Sequence, residues 1–299
     1  MKRILACLLV SLFLCSAALA ESPLEAPYAP GSAEAAVAAA AAGALGTELH
    51  LTDGADLPKA ADVMLQAPGN LLCADQALLI SGLQGYTSQD LRTAMRPVCR
   101  IADSPLYLVA DRRTAADIGV TDAESLLSWI GEHEYETYFA RHIDADVIDR
   151  AVTRLSESLA VLTDYWPEDE IPGALESGKA LATVVSDVQM AEGDPALLPL
   201  CSLGGSRTGA YPDLPCAAEL GLPVCDGIEI WLFVSSETDD AAVGRAASAC
   251  LDMDPGSVDE VPGFAFAPLA GEEADEKIRG IIADYIGYMT SEGLFFYEE

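Results

Sequence analysis

Short apolar runs of strand character alternate with segments of helical character along most of this 299-residue chain, and this alternation is the feature that most limits its fold. The strand-like runs are TELHL at 47–51, VML at 63–65, LYLVA at 106–110, ATVVS at 182–186 and IEIWLFV at 228–234. Strands that alternate with helices predict an α/β fold in which mostly parallel sheets are flanked by helices.

Helical signals mark the segments between these runs. Residues 33–45 have high helix propensity and end before a glycine. Apolar residues recur at spacings of three and four from Ile148 to Leu162, which predicts a helix that starts near Asp144. Residues 277–289 carry one apolar stripe, as an amphipathic helix does. The apolar stretch at 71–83 is interpreted as a further helix, which follows the strand at 63–65 across a Pro-Gly-Asn loop.

The first 20 residues have the layout of a cleavable secretory signal. Lys2 and Arg3 precede an apolar run from Ile4 to Leu14, and small residues follow at 18–20. We therefore expect an exported chain whose mature part begins at Glu21. No later stretch offers the ~18 uninterrupted apolar residues that a membrane-spanning helix needs.

The mature chain is strongly acidic. Removing Lys2 and Arg3 from the 16 basic residues leaves 14 against 48 acidic ones, a formal charge of −34. Such a field repels nucleic acid and anionic lipid, so neither is expected as a partner. It also repels an anionic small ligand, which must therefore be met by hydrogen-bond donors placed in its immediate surroundings.

Six cysteines remain after cleavage, at positions 73, 99, 201, 216, 225 and 250. In an exported protein an even number suggests disulfides, for which Cys216 and Cys225 are the nearest pair in sequence, and buried free thiols are the alternative. The cysteine and histidine spacings match no zinc pattern, so we expect no metal and no cofactor.

The sequence gives little support to catalysis. It contains no Gly-x-Ser-x-Gly nucleophile motif, and the acids at 168–170 are typical of a solvated loop. A Cys-His nucleophile would have to persist in an oxidising compartment. We therefore expect a protein that is not an enzyme.

Several motifs, in the same order along the chain, resemble one family. RTGAYPDLPCAAELGLP at 207–223 resembles a Pro-Asp-Val-Pro-Thr corner followed by Glu-Leu-Gly, and WLFVSS at 231–236 with the helix after it resembles a tryptophan strand, turn and helix. The segments at 90–130 and 174–188 match in the same order. The chain is thus similar to the solute-binding receptors of tripartite tricarboxylate transporters, a family of periplasmic binding proteins.

The resemblance implies a two-lobed fold of the type II kind. Lobe 1 is expected at 21–110 and 228–299 and lobe 2 at 111–227, with the strands at 106–110 and 228–234 as crossovers that act as a hinge. It also implies a periplasmic, monomeric receptor that presents a small carboxylate to membrane permease subunits. The family's first loop typically reads Pro-Phe, two spacers and Gly-Gly, whereas this chain has Pro27, Tyr28, Ala29, Pro30, Gly31 and Ser32.

Nine residues are candidates for ligand binding. The loop Pro30, Gly31, Ser32 and Ala33 precedes a helix, so its N–H groups and the helix dipole can hold a carboxylate, although the loop can also be a plain strand-to-helix turn. Gly69 and Asn70 are predicted to share this geometry. Arg141 and His142 end a short strand, where the arginine either faces the ligand or forms a surface salt bridge. Asp187 either binds a ligand amine or hydroxyl or caps the next turn.

Two functions follow from these observations. The first is an extracytoplasmic receptor for a di- or tricarboxylate, held by the N–H groups of Gly31, Ser32 and Ala33 in one lobe and by Arg141 in the other. The second is a diverged interaction or sensor module of the same fold without a transported ligand. Arg207, although recognisable in the family motif, is interpreted as part of a packing corner.

Overall fold

A computed structural model describes residues 23–52, 57–83, 85, 87–142 and 146–291. The predicted signal peptide at 1–20 lies outside these residues. In chain order the elements are β1 (Leu24–Ala26), α1 (Ala33–Leu45), β2 (Leu49–Leu51), α2 (Leu57–Leu65), β3 (Leu71–Asp75), α3 (Ala77–Leu83), α4 (Leu91–Ala94), β4 (Met95–Ser104), β5 (Leu106–Asp111), α5 (Arg112–Asp117), α6 (Ala123–Glu132), β6 (Tyr138–His142), α7 (Asp146–Leu159), β7 (Leu162–Trp166), α8 (Ile171–Glu176), β8 (Ala182–Ser186), α9 (Asp187–Ala191), β9 (Leu197–Ser202), α10 (Ala217–Leu220), β10 (Ile228–Ser235), α11 (Asp240–Leu251), α12 (Gly256–Asp259), β11 (Ala265–Ala270) and α13 (Glu272–Ser291).

The described chain divides into two compact units. Unit 1 comprises the residues up to Ala102, 229–261 and those from Ala265 onward, and unit 2 comprises 103–228 with 262–264. The chain thus enters unit 2 before β5, whereas the sequence placed the boundary after residue 110. The reason is that β5 forms its hydrogen bonds with β8 and β9, which both belong to unit 2.

Each unit is built on one sheet. The sheet of unit 1 has the order β11-β4-β10-β3-β1-β2, in which β1 pairs parallel with β2 and β3, and β3 pairs antiparallel with β10. The sheet of unit 2 has the order β7-β6-β8-β5-β9, in which β6 pairs parallel with β7 and β8, and β5 pairs antiparallel with β8 and β9.

The α/β class with helix-flanked sheets is therefore confirmed, but both sheets are mixed rather than mostly parallel. Parallel pairing occurs where a helix connects successive strands, as between β1, β2 and β3 and between β6, β7 and β8. Within the described chain, no helix connects β5 or β10 to a strand beside it in the way that helices connect the parallel strands. These two strands can therefore pair antiparallel with their neighbours.

The predicted helices at 33–45 and 277–289 are present, as are the strands near 49, 106, 182 and 228. One part of the prediction is wrong. Val63–Leu65 lies inside α2 and not in a strand, and the first half of the predicted helix at 71–83 is β3. The apolar run at 71–74 is buried on both faces of the sheet, and such a run shows no alternation by which a strand can be told from a helix.

Each unit has its own apolar core. In unit 1 Trp231 and Phe233 of β10 pack with α3 and α13, and in unit 2 Leu106 and Leu108 pack with α6 and α7. The six cysteines of the described chain are all buried and free, so no bond joins Cys216 to Cys225. As buried thiols they serve as small apolar side chains. Within the described residues, no helix combines the length and the apolar character required to cross a membrane.

Candidate functional site

The two sheets share one feature that defines a candidate site in each unit. In unit 1 the chain runs from β1 through α1 to β2 on one side of β1, and then through α2 to β3 on the other side. In unit 2 it runs from β6 through α7 to β7 and then through α8 to β8 in the same way. Ligands of open α/β sheets bind outside the carboxyl ends of the strands where the order reverses. The candidate sites are therefore the carboxyl ends of β1 and β3, here called crevice 1, and those of β6 and β8, here called crevice 2.

The loop from Pro30 to Ala33 lies at crevice 1, between β1 and α1. Gly31 takes a left-handed conformation with φ of 90°, and Ser32 caps α1 by accepting the Ala35 N–H at 3.1 Å. The Ser32 N–H donates to the Ala29 carbonyl at 3.1 Å, so it is already used. The expected donor set therefore changes, because the free donors of a capped helix are those of its first turn, here Ala33 and Glu34.

Three residues of crevice 1 were missed by the sequence analysis. Tyr28 follows β1 and is 8% exposed, while Asp75 ends β3 and accepts the Ala77 N–H at 2.8 Å. Gln76 accepts the Glu229 N–H at 2.8 Å, which ties this edge to β10. Asp75 and Gln76 were missed because β3 was interpreted as a helix, so its carboxyl end could not be recognised as a site.

Gly69 and Asn70 lie before β3 and thus at its amino end, away from crevice 1. The Gly69 N–H donates to Thr238 Oγ1 at 3.1 Å, and the Asn70 side-chain amide donates to the Val63 carbonyl at 3.1 Å. The second bond satisfies a carbonyl near the end of α2. The predicted strand-to-helix geometry is therefore wrong, and both residues have a structural explanation.

Arg141 is buried in unit 2 and fully engaged. Its Nε and Nη2 lie 2.7 Å from the two carboxylate oxygens of Asp149 on α7, and its guanidinium lies 4.3 Å from the ring centroid of Tyr165. Side-chain exposures of 7% for Arg141 and 9% for Asp149 show that this is an interior ion pair. It is neither of the two expected situations, a ligand contact or a surface salt bridge, because a helix that packs on β6 supplies the counter-ion.

His142 is the last residue of β6 and reaches crevice 2. Its Nε2 lies 3.0 Å from the Val184 carbonyl and 3.1 Å from Thr183 Oγ1, so Nε2 carries the proton that the carbonyl accepts. Burial lowers the pKa of His142, with partial compensation from Glu168, the Val184 carbonyl and Asp149. The side chain is therefore a neutral imidazole that joins β6 to β8, and its Nδ1 has no hydrogen-bond partner among the described residues.

Asp187 lies at crevice 2, directly after the carboxyl end of β8. Ser186 caps the short helix α9 by accepting the Gln189 N–H, so the capping role considered for Asp187 belongs to its neighbour. The Tyr107 hydroxyl lies 3.0 Å from Thr208 Oγ1, and Tyr211 packs edge-on against Tyr107 at 5.3 Å. Asp187 is thus surrounded by hydroxyl groups, which can share a hydrogen-bonded ligand with it.

The acidity of Asp187 follows from this environment. Burial raises its pKa, and a hydrogen bond with Tyr107 lowers it in part. The folded protein thus holds this proton more tightly than the unfolded chain, so the stability that Asp187 contributes at low pH is lost as the pH rises from the ordinary value of 3.8 through the folded-state pKa.

Asp187→Asn should consequently gain stability relative to the parent as the pH rises. The amide stays neutral where the carboxylate must ionise in a buried place, so the difference in unfolding free energy should move in favour of the variant between about pH 4 and pH 7. Urea unfolding of both proteins across this range measures the difference. A constant difference would show that the pKa of Asp187 is the same in the folded and the unfolded protein.

The Tyr-Pro-Asp-Leu-Pro corner at 211–215 is held by Arg207. Its Nε lies 3.0 Å from both carboxylate oxygens of Glu219, and its Nη1 donates to the Pro212 carbonyl at 3.2 Å. Cys216 and Gly221 then bound the one-turn helix α10, with Gly221 left-handed at φ of 69°. Arg207 therefore closes the corner, and the corner places Tyr211 beside Tyr107.

A cavity of about 460 Å³ lies elsewhere in unit 2, beside Tyr138 and Leu181 where β6 and β8 begin. On its wall the rings of Trp129 and His133 stack with centroids 3.8 Å apart. Its position at the amino ends of the strands separates it from crevice 2. We favour the crevices as the ligand sites because the sheet topology converges there. The described residues contain no cluster of three or more metal-ligating side chains.

Several solved structures share this fold at low sequence identity. A TctC solute-binding protein from Polaromonas is 16% identical with a TM-score of 0.73 over 91% of this chain and 99% of its own. MatC from Rhodopseudomonas palustris with bound malate is 18% identical with a TM-score of 0.66 over 89% and 98%. An R. palustris protein with adipate is 15% identical with a TM-score of 0.65 over 91% and 98%. Neither a protein-family model nor a curated protein matches the sequence.

The described structure therefore has the fold of a two-lobed periplasmic solute-binding protein. Among the solved structures that share it are TctC-type receptors, so the resemblance inferred from the motifs is confirmed for the fold. The Polaromonas neighbour is a solute-binding protein.

Proposed function

We propose that the chain is an extracytoplasmic receptor that binds a small di- or tricarboxylate and delivers it, as a monomer, to the permease subunits of a tripartite transporter. The observation that carries the proposal is the repeated switch-point topology, which gives each unit a crevice with polar groups. Neighbours of the same fold hold malate and adipate, which supports a carboxylate as the ligand. Export by the N-terminal signal is part of this proposal.

The chemistry of crevice 1 suits a carboxylate despite the acidic field of the chain. The first turn of α1 offers N–H groups together with the positive end of the helix dipole. Oriented amides act at contact distance, while distant acids are screened beyond ~8 Å at physiological salt. We therefore expect the net charge to slow encounter more than it weakens the bound state.

Thermal unfolding with malate, succinate, adipate and citrate tests the proposed function. An acid present at 100 times its dissociation constant should stabilise the protein by about 2.7 kcal/mol. Silence from all four at millimolar concentration would favour the alternative, a diverged interaction module of the same fold.

Gly31→Val should weaken binding of the acid at least about tenfold, because a β-branched residue cannot hold the φ of 90° and the turn must shift the donors of α1. Calorimetry with the acid identified above measures the effect. Gly69→Val is the matched control, since Gly69 has a φ of 91° and the same open space but lies at the amino end of β3. Equal losses in both variants would remove Gly31 from the site.

A further inference from the structure

We propose that the hydroxyl group of Tyr28 is a ligand contact in crevice 1, where it donates a hydrogen bond to the carboxylate held by the first turn of α1. This inference rests on the proposed function, because it assigns one more residue to the same carboxylate site. Its basis is an interior hydroxyl group for whose proton the rest of the described protein provides no acceptor.

The position of Tyr28 places its side chain at the switch point. The residue stands between Ala26, where β1 ends, and the Gly31 turn that leads into α1. Burial raises the pKa of Tyr28 well above its usual value, the nearby Asp75, Cys73 and Glu34 raise it further, and the backbone of Asp75 lowers it in part. The phenol therefore lies near the end of β3 and the first turn of α1. It stays protonated, so it can act as a neutral hydrogen-bond donor.

The hydroxyl group of Tyr28 lowers the stability of the ligand-free protein. The residue is 92% buried, and its hydroxyl proton has no acceptor among the described residues. A buried polar group without a partner costs more than the same position filled by an apolar group, so phenylalanine would suit the free protein better. An acid bound at the Ala33 and Glu34 N–H groups would supply the missing acceptor.

The neighbours of Tyr28 explain why a neutral donor fits this place. Glu34 and Asp75 both act on the phenol. A neutral hydroxyl group can donate a hydrogen bond to the ligand carboxylate. A cationic side chain in its place would form ion pairs with these two acids, which would compete with the ligand for it. Hydrogen bonds to charged acceptors are also stronger than those between neutral groups.

Tyr28→Phe tests the proposal, because it removes the hydroxyl group and keeps the ring. We expect the ligand-free variant to unfold at the same or a higher temperature than the parent. We also expect calorimetry to show that malate, succinate, adipate or citrate, whichever the parent binds, binds the variant about 10- to 100-fold more weakly. Tyr107→Phe should lower the unfolding temperature, because its hydroxyl has a partner in Thr208. Tyr138→Phe, an exposed tyrosine of unit 2, should change neither quantity.

The outcomes are separable. A parent that binds none of the four acids overturns the proposed function and this assignment with it. A parent that binds an acid as tightly as Tyr28→Phe does overturns the role of Tyr28 alone. A ligand-free Tyr28→Phe variant that is less stable than the parent also overturns it, because the hydroxyl would then have a partner before ligand binds.

Discussion

Arg141→Ala is expected to lower the free energy of unfolding by about 3 to 5 kcal/mol, the usual cost of removing one partner from a buried ion pair. The change leaves the Asp149 carboxylate in a place where the two side chains are at most 9% exposed, and it also removes the contact of the guanidinium with the Tyr165 ring. Chemical denaturation of the purified protein measures the loss.

Two variants make the interpretation of Arg141→Ala secure. Arg92 forms a pair with Asp90 at 2.6 Å, but its side chain is 49% exposed, so Arg92→Ala should unfold at nearly the parent's denaturant concentration. The double change Arg141→Met with Asp149→Leu should recover most of the stability, since both charges leave the interior together. If Arg141→Ala were as stable as the parent and only lost ligand affinity, Arg141 would be a binding residue after all.

Gly263→Ala should destabilise the protein and weaken ligand binding, although Gly263 lies far in sequence from every candidate site residue. A Cβ atom at this position would lie 2.4 Å from the Val188 Cα and N atoms, a distance that nonbonded atoms do not tolerate. Gly263 also has a φ of 82°, which costs an L-residue roughly 1–2 kcal/mol. The backbone of α9 must therefore move, and Asp187 moves with it.

Gly119→Ala is the matched control for this prediction. Gly119 has a φ of 81° in the same unit, but a Cβ atom there meets nothing within 4 Å. Its unfolding temperature should fall only by the cost of the backbone conformation, and its affinity for the acid should stay that of the parent. Equal losses of stability in both variants would show that close packing against Val188 is unimportant.

In unit 2, the residues that can contact a ligand differ from those that the sequence predicted. Arg141 is adjacent to the site in sequence, but successive side chains of a strand point to opposite faces, so the neighbours Arg141 and His142 have separate surroundings. Among the described residues, the polar groups at crevice 2 include His142 and Asp187 with the hydroxyl groups near it, which are neutral or acidic. In unit 2 we therefore expect the ligand to be bound by neutral hydrogen bonds rather than by an arginine.

The sequence by itself determined the helices at 33–45 and 277–289, the strands near 49, 106, 182 and 228 and the turn before α1. These depend on local properties, such as the alanine content of 33–45, the β-branched residues of 182–186 and the glycines and prolines that end each segment. The family motifs, which occur in the same order along the chain, predicted the two-lobed fold. They could not separate β3 from a helix, because a strand covered on both faces is apolar throughout.

Only the tertiary structure decided which polar residues are available to a ligand. Arg141 forms an ion pair with Asp149 of α7, and the Ser32 N–H donates to the Ala29 carbonyl. Gly69 and Asn70 lie at the amino end of β3. The hydroxyl proton of Tyr28, in contrast, has no acceptor among the described residues, although Asp75, which is distant in sequence, lies beside the phenol. Sequence gives the identity of a donor or an acceptor, whereas its free or occupied state depends on strand order and helix packing, which bring distant residues into contact.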